Sequence, residues 1–170
     1  MKKMTRQEII EKYKKGERDF REENLSGVDL SGLYLCGVNL LFANLNYADL
    51  SNAVLKCANL RHADLSYANL TDAVLSYANL LDADLRHTTL FCSDFQGAEL
   101  KDADLEGADL EGANLEGANL EGANLEGAKL KRADLSHANL RYANLMSVDL
   151  RGANLEGTQI YIGNLRFVPA

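Results

Sequence analysis

Five glutamates, Glu106, Glu111, Glu116, Glu121 and Glu126, recur five residues apart in the stretch EGADLEGANLEGANLEGANLEGAKL. Carboxylates can bind metal ions, move protons or imitate nucleic-acid phosphates, and their placement decides which of these is open. Residues 94 to 126 hold ten acids and one base, a net of −9 in a chain whose formal net charge is −7. Such a surface disfavours direct nucleic-acid binding, which needs cations to displace counterions. The other reactive side chains are sparse: His62, His87, His137, Cys36, Cys57 and Cys92. No CxxC or His-to-acid spacing suits a metal, and three cysteines cannot all pair. There is no Ser/His/Asp or Cys/His set and no phosphate-binding glycine motif. The expectation is a non-enzyme with no catalytic residue, no cofactor and no metal.

The elements that position the carboxylates follow from a repeat. Of the 29 positions divisible by five from 25 to 165, 27 are Leu, and Phe95 and Ile160 complete the set. Phe20 extends the register. Two residues before each comes Ala, at 20 of 23 positions from 43 to 153, with Thr88, Ser93 and Val148 departing. An α-helix turns about 100° per residue, so a step of five scatters the leucines around the cylinder. A straight strand fails as well, because an odd step sends successive leucines to opposite faces. Each pentapeptide must therefore hold a short extended piece and a bend, with Leu and Ala both pointing inward. The number of sides per coil does not follow from the period.

The A(D/N)LXX words over residues 20 to 165 closely resemble the pentapeptide-repeat family, most in the style of its cyanobacterial members of unassigned role. The resemblance implies an all-β solenoid, a right-handed quadrilateral β-helix with four pentapeptides per coil and about seven coils. At about 4.8 Å per coil the column is about 36 Å tall. Residues 1–19 form the expected N-terminal segment, 20–165 the β-helix and 166–170 a short tail. In the first of these, Thr5 and Glu8 are spaced as a capping box, Ile9, Ile10 and Tyr13 make an apolar stripe and Gly16 is a stop. A capping helix over residues 6 to 15 is expected. That segment has no long apolar run, so no signal peptide or membrane span is expected and the location is cytoplasmic.

Twenty residues per coil would stack positions twenty apart, so the glutamates form a collar in which only Glu106 and Glu126 share a file. Lys101, Glu121 and Arg141 share another, as do Glu111, Lys131 and Arg151. The collar is a candidate partner-binding ring or a solvated face. Tyr34, Val54 and Val74 form a candidate apolar stripe, and Tyr47, Tyr67 and His87 a second file; both can equally be cross-strand neighbours. The glycines of EGANL fit bends. The segment RHTTLFCSDF, 86 to 95, keeps the register and suggests repacking around Phe95. At the carboxyl end, Tyr161, Ile162, Phe167 and Val168 can fold back as a lid or join two copies as a homodimer.

These features point to a non-enzymatic interaction or scaffold module, a rigid acidic rod for an unidentified protein partner. The family also includes quinolone-resistance proteins that resemble duplex DNA and bind DNA gyrase, so the alternative is a DNA mimic directed at a topoisomerase. B-DNA carries about 21 charges over about 36 Å. The collar exceeds that density locally, and the column as a whole falls short of it.

Overall fold

A computed structural model describes residues 3–162 and 165–167 of the chain. From Asp19 paired with Asn39 to Asp134 paired with Asn154, the isolated bridges of the coil are parallel and join residues twenty apart. Four pentapeptides therefore close one turn, and each side contributes a single bridged residue instead of a long strand. The last turn gains short strands: β1 (Asn139–Leu140) pairs in parallel with β2 (Gln159–Ile162), and β2 pairs antiparallel with β3 (Leu165–Phe167).

One repeat, Asn44 to Ala48, shows why the sequence folds this way. The amide of Ala48 donates to Leu45 O at 3.0 Å, closing a four-residue turn. Its third residue, Tyr47, has φ +57°, as a type II turn demands. The Tyr47 amide donates to Ser66 O in the next coil, Asn44 to Glu23 O in the previous one and Leu45 to Asp64 O in the next. The remaining donor, the amide of Asn46, finds the side-chain Oδ1 of Asn44 at 3.1 Å. All five amides are thus satisfied, and the Asn or Asp of each word is there to take the one that the ladder leaves over.

Leu and Ala fill the interior. Every core Leu from Leu45 to Leu140, with Phe95 among them, is at most 1% exposed. Each such side chain contributes about 1.5–3 kcal/mol of burial. Where Thr88 and Ser93 replace Ala, their hydroxyls donate back to Leu85 O and Leu90 O, both at 2.6 Å, so the change costs no unpaired group. The bridges run through this segment without interruption.

The two ends differ. At the amino end, α1 (Arg6–Lys14) is opened by the Thr5/Glu8 capping box and lies over the first coil. Ile9 and Met4 are buried, Arg6 donates to Asp29 O and Ser31 O, and the Tyr13 hydroxyl donates to Cys36 O. Leu25, Leu30 and Leu35 are consequently buried. At the other end Leu145, Leu150 and Leu155 are only half-buried, while Ile160 is buried on the side where β2 lies. Leu165, which the repeat register assigns to the coil, is in β3 instead. Its backbone runs back along β2, with Ile160 opposite Phe167 and Ile162 opposite Leu165. Val168 lies outside the described residues.

Candidate interaction surface

The outside is built from two kinds of position. The Asn or Asp of each word lies on a flat side, and the two turn residues form a corner. Along the sides, carboxamides and carboxylates link successive coils: Asn114 donates to Asp94, Asn119 to Glu99 and Asn124 to Asp104, at 3.0, 2.7 and 3.0 Å. With Asp109, which accepts from Lys129 Nζ at 3.0 Å, four of the ten acids in the dense band are therefore structural acceptors, each also receiving an amide two residues on.

The collar glutamates stand at the first turn position, each followed by a glycine in the left-handed region, at φ +64° to +71°. Glu106 and Glu126 are exposed, and Glu111, Glu116 and Glu121 are half-buried. Glu121 receives Lys101 Nζ at 2.9 Å and Asn139 Nδ2 at 3.3 Å. The hydrogen bond from Lys101, then that from Asn139, holds its carboxyl below the usual glutamate value. Glu111 faces Lys131 at 3.4 Å, Glu116 accepts from Gln96 and Glu126 from Asn144. The remaining cations of the two predicted files turn elsewhere. Arg151 pairs with Asp149 in its own repeat, and its hydrogen bond holds that carboxyl down to about 2. Arg141 lies over the Tyr161 ring, 5.7 Å from its centre.

Higher on the column the corner glycines give way to rings. Tyr47 and Tyr67 stack with centroids 5.1 Å apart and planes 7° from parallel, Tyr67 meets His87 at 5.1 Å, and Phe42 stacks on His62 at 4.8 Å. His62 also faces Asp82 at 3.7 Å. The rings lean onto the glycines of the next coil: a Cβ on Gly97 would meet Tyr77 at 2.7 Å, and one on Gly107 would meet His87 at 2.5 Å. Glycine there serves both the left-handed turn and the ring above it, the second of which the sequence did not reveal.

Tyr34, Val54 and Val74 occupy three successive bridged positions on one side, with Tyr34 73% exposed and the valines half-buried. Beside Tyr34, a cavity of about 230 Å³ opens between α1 and the first coil, lined by Ile10, Tyr13, Lys14, Leu33, Tyr34 and Leu35. Cys36, Cys57 and Cys92 are free thiols. Among the described residues no group of His, Cys, Asp and Glu is arranged to hold a metal ion, and no helix is long and apolar enough to cross a membrane.

Comparison with known proteins fits this architecture. The family described as pentapeptide repeats (8 copies) matches residues 24–56, 53–90, 93–132 and 128–161. A search of curated proteins finds no match. Among solved structures, a trypsin-treated variant of QnrB1, a plasmid-mediated fluoroquinolone resistance protein, is 23% identical, covering 84% of this chain and 79% of its own, with a TM-score of 0.57. HetL, a pentapeptide repeat protein involved in heterocyst differentiation regulation from the cyanobacterium Nostoc sp. strain PCC 7120, is 26% identical over 92% of this chain and 97% of its own, with a TM-score of 0.37. Rfr23 from the cyanobacterium Cyanothece 51142 is 29% identical over 88% of this chain and 95% of its own, with a TM-score of 0.41. A repeat matched along nearly the whole coil, together with bridges at every twentieth residue, gives the assignment: the chain belongs to the pentapeptide-repeat family.

Proposed function

We propose that this chain is a non-enzymatic protein-interaction scaffold of the cytoplasm, an acidic rod that holds fixed files of side chains against a protein partner. The observation that carries the reading is the way the outer groups are held. Collar and side residues are tied across coils by hydrogen bonds such as Lys101 to Glu121, Asn139 to Glu121 and Asn114 to Asp94. Side chains already ordered lose less entropy on binding, which favours recognition by a preformed surface. The interior, filled by Leu and Ala, leaves function to the exterior.

The test is to couple the protein to a support, cross-link what it captures from its host and identify the bound proteins by mass spectrometry. Reversing Glu111, Glu116 and Glu121 to Lys, or replacing Tyr34, Val54 and Val74 by Ser, should remove captured species. If neither set changes what is captured, the scaffold reading fails at both surfaces. The topoisomerase-mimic alternative is weakened by the lysines that meet Glu111 and Glu121, because paired carboxylates imitate phosphates poorly. A supercoiling assay with purified DNA gyrase separates the two: inhibition or protection at stoichiometric protein favours mimicry, and no effect removes it. We assign Tyr161, Ile162 and Phe167, which follow the half-buried Leu145, Leu150 and Leu155 in the chain, to contact between two copies. Sedimentation equilibrium checks that assignment, and a monomer at every concentration overturns it.

A further inference from the structure

The Asn or Asp of each word accepts the amide two residues later, and where that residue is missing the amide is left over. Among the described residues of the coil, the amides of Cys36, Lys56 and Ser76 have no acceptor, because Tyr34, Val54 and Val74 stand where the carboxamide would be. Phe91 and Lys131, after Thr89 and Lys129, share the defect singly on another corner. The first three lie twenty apart, one above the other. They make a vertical row of donors beside an apolar stripe, with a spacing of about 4.8 Å. Cys36 is half-buried, Lys56 exposed and Ser76 buried, and an unpaired backbone donor favours a ligand that supplies the acceptor.

The surroundings decide what that ligand is. The two sides that meet at this corner, residues 31–40, 51–60 and 71–80, carry one Lys and one Asp in a chain of net charge −7. Lys56 lies 5.7 Å from the centre of the Tyr77 ring and has no carboxylate partner, and Lys14, which lines the cavity beside Tyr34, is exposed and without an ion pair among the described residues. The corner thus offers three amide donors and two free ammonium groups, set apart from the dense acidic band of residues 94 to 126. The cavity of about 230 Å³ falls below the 300–1,000 Å³ usual for small-molecule sites and suits one large side chain.

We propose that this corner is a docking site for an acidic segment of a partner protein: its carboxylates accept from the amides of Cys36, Lys56 and Ser76, and one apolar side chain enters the cavity under α1. The site rests on the scaffold reading and names the chemistry of the partner. Complementary charge supplies selectivity, since here an acidic chain meets three stacked donors and two cations instead of the collar.

A phage-displayed library of random dodecapeptides tests the assignment. Peptides retained by the native protein should carry two or more Asp or Glu beside a large apolar residue, and 0.5 M salt should weaken their retention at least tenfold. The decisive variant is Tyr34→Asn/Val54→Asn/Val74→Asn, which supplies the missing acceptors from within. It should unfold at a temperature no lower than the native protein and retain the enriched peptides at least tenfold less. Lys14→Glu/Lys56→Glu should weaken them similarly. Enriched peptides without acidic bias, none enriched at all, or equal retention by the triple Asn variant would overturn the site. Peptides lost only with Glu111→Lys/Glu116→Lys/Glu121→Lys would overturn it while leaving the scaffold reading intact. A dimer that the triple Asn variant dissolves would overturn it in favour of a second copy as occupant.

Discussion

The coils from residue 41 to 90 and the collar from 106 to 127 share one interior and differ at their corners. Inside, both are Leu and Ala apart from Thr88, with the same cross-coil ladder and the same near-complete burial. At the second turn position the upper coils place Phe42, Tyr47, Tyr67, Tyr77 and His87 in the left-handed region, at φ +56° to +59°, whereas the collar places Gly107, Gly112, Gly117, Gly122 and Gly127 there. A side chain in that region costs on the order of 1 kcal/mol, and stacking of neighbouring rings offsets about 0.5–1.5 kcal/mol. Core and corner are therefore specified independently. A coil keeps its fold while its corner is rewritten, and the collar's bare glycine corners leave the preceding glutamates as the dominant feature of that surface.

The largest effects should come from the shared interior and should ignore the difference between regions. Leu65→Asp and Leu115→Asp each bury an unpaired carboxylate at a cost of several kcal/mol. Thermal denaturation should show both losing cooperative unfolding or dropping by a similar, large amount. An unchanged midpoint for either would place that leucine outside the core.

A smaller effect should separate two glycines of identical backbone. Gly107 and Gly117 both have φ +64°, but a Cβ on Gly107 meets the His87 ring at 2.5 Å, and one on Gly117 meets nothing within 4 Å. Gly117→Ala should cost about 1 kcal/mol from the backbone alone. Gly107→Ala should cost about 0.5–1 kcal/mol more, because the ring must give up its tilted contact with Tyr67. Equal denaturant midpoints would show that the ring gives way freely. In the opposite sense, Tyr67→Gly relieves the backbone while removing contacts to Tyr47 and His87, so urea denaturation should place it within about 1 kcal/mol of the native protein. A loss of several kcal/mol would mean that the ring files, not the interior, hold the upper coils.

The smallest expected effect belongs to the collar's charges. Glu121 has its folded pKa below the ordinary value, so its pairing with Lys101 and Asn139 stabilises the fold above the unfolded-state pKa and is lost as pH falls through the lowered folded value. Glu121→Gln should therefore flatten the acid limb of the plot of melting temperature against pH and leave the neutral region nearly unchanged, since exposed pairs contribute little. A steeper acid limb in the variant would contradict the pairing.

The sequence disclosed much of this because period five leaves few options. Leu and Ala at a two-residue offset named the inward face, and Thr5 with Glu8 named the start of α1. The files were legible once the coil length was supplied by the family resemblance, since the period alone does not fix the number of sides. Partner choice along those files was not. Arg151 shares a file with Glu111 but stands two coils from it, with Lys131 between, and takes Asp149, two residues away. The role of Asn and Asp as acceptors for a spare amide was hidden as well, since it depends on which donors the ladder leaves over. With it stayed hidden the consequence at Tyr34, Val54 and Val74. The return of β3 along β2 was legible only as one of two readings of the carboxyl end, and its starting point was hidden, because Leu165 keeps the repeat letter while its backbone departs from the coil.

The vertical stacking of residues twenty apart underlies every file, pair and corner described above, and cysteine cross-linking tests it most directly. In a background with Cys36, Cys57 and Cys92 replaced by Ser, the pair Glu106→Cys/Glu126→Cys places two thiols on adjacent coils, about 4.8 Å apart along the column and within disulfide reach. The pair Glu106→Cys/Glu116→Cys places them two sides apart. Mild oxidation should link the first pair within single molecules and leave the second reduced; equal linkage of both, or linkage of the second alone, would contradict the coil of twenty.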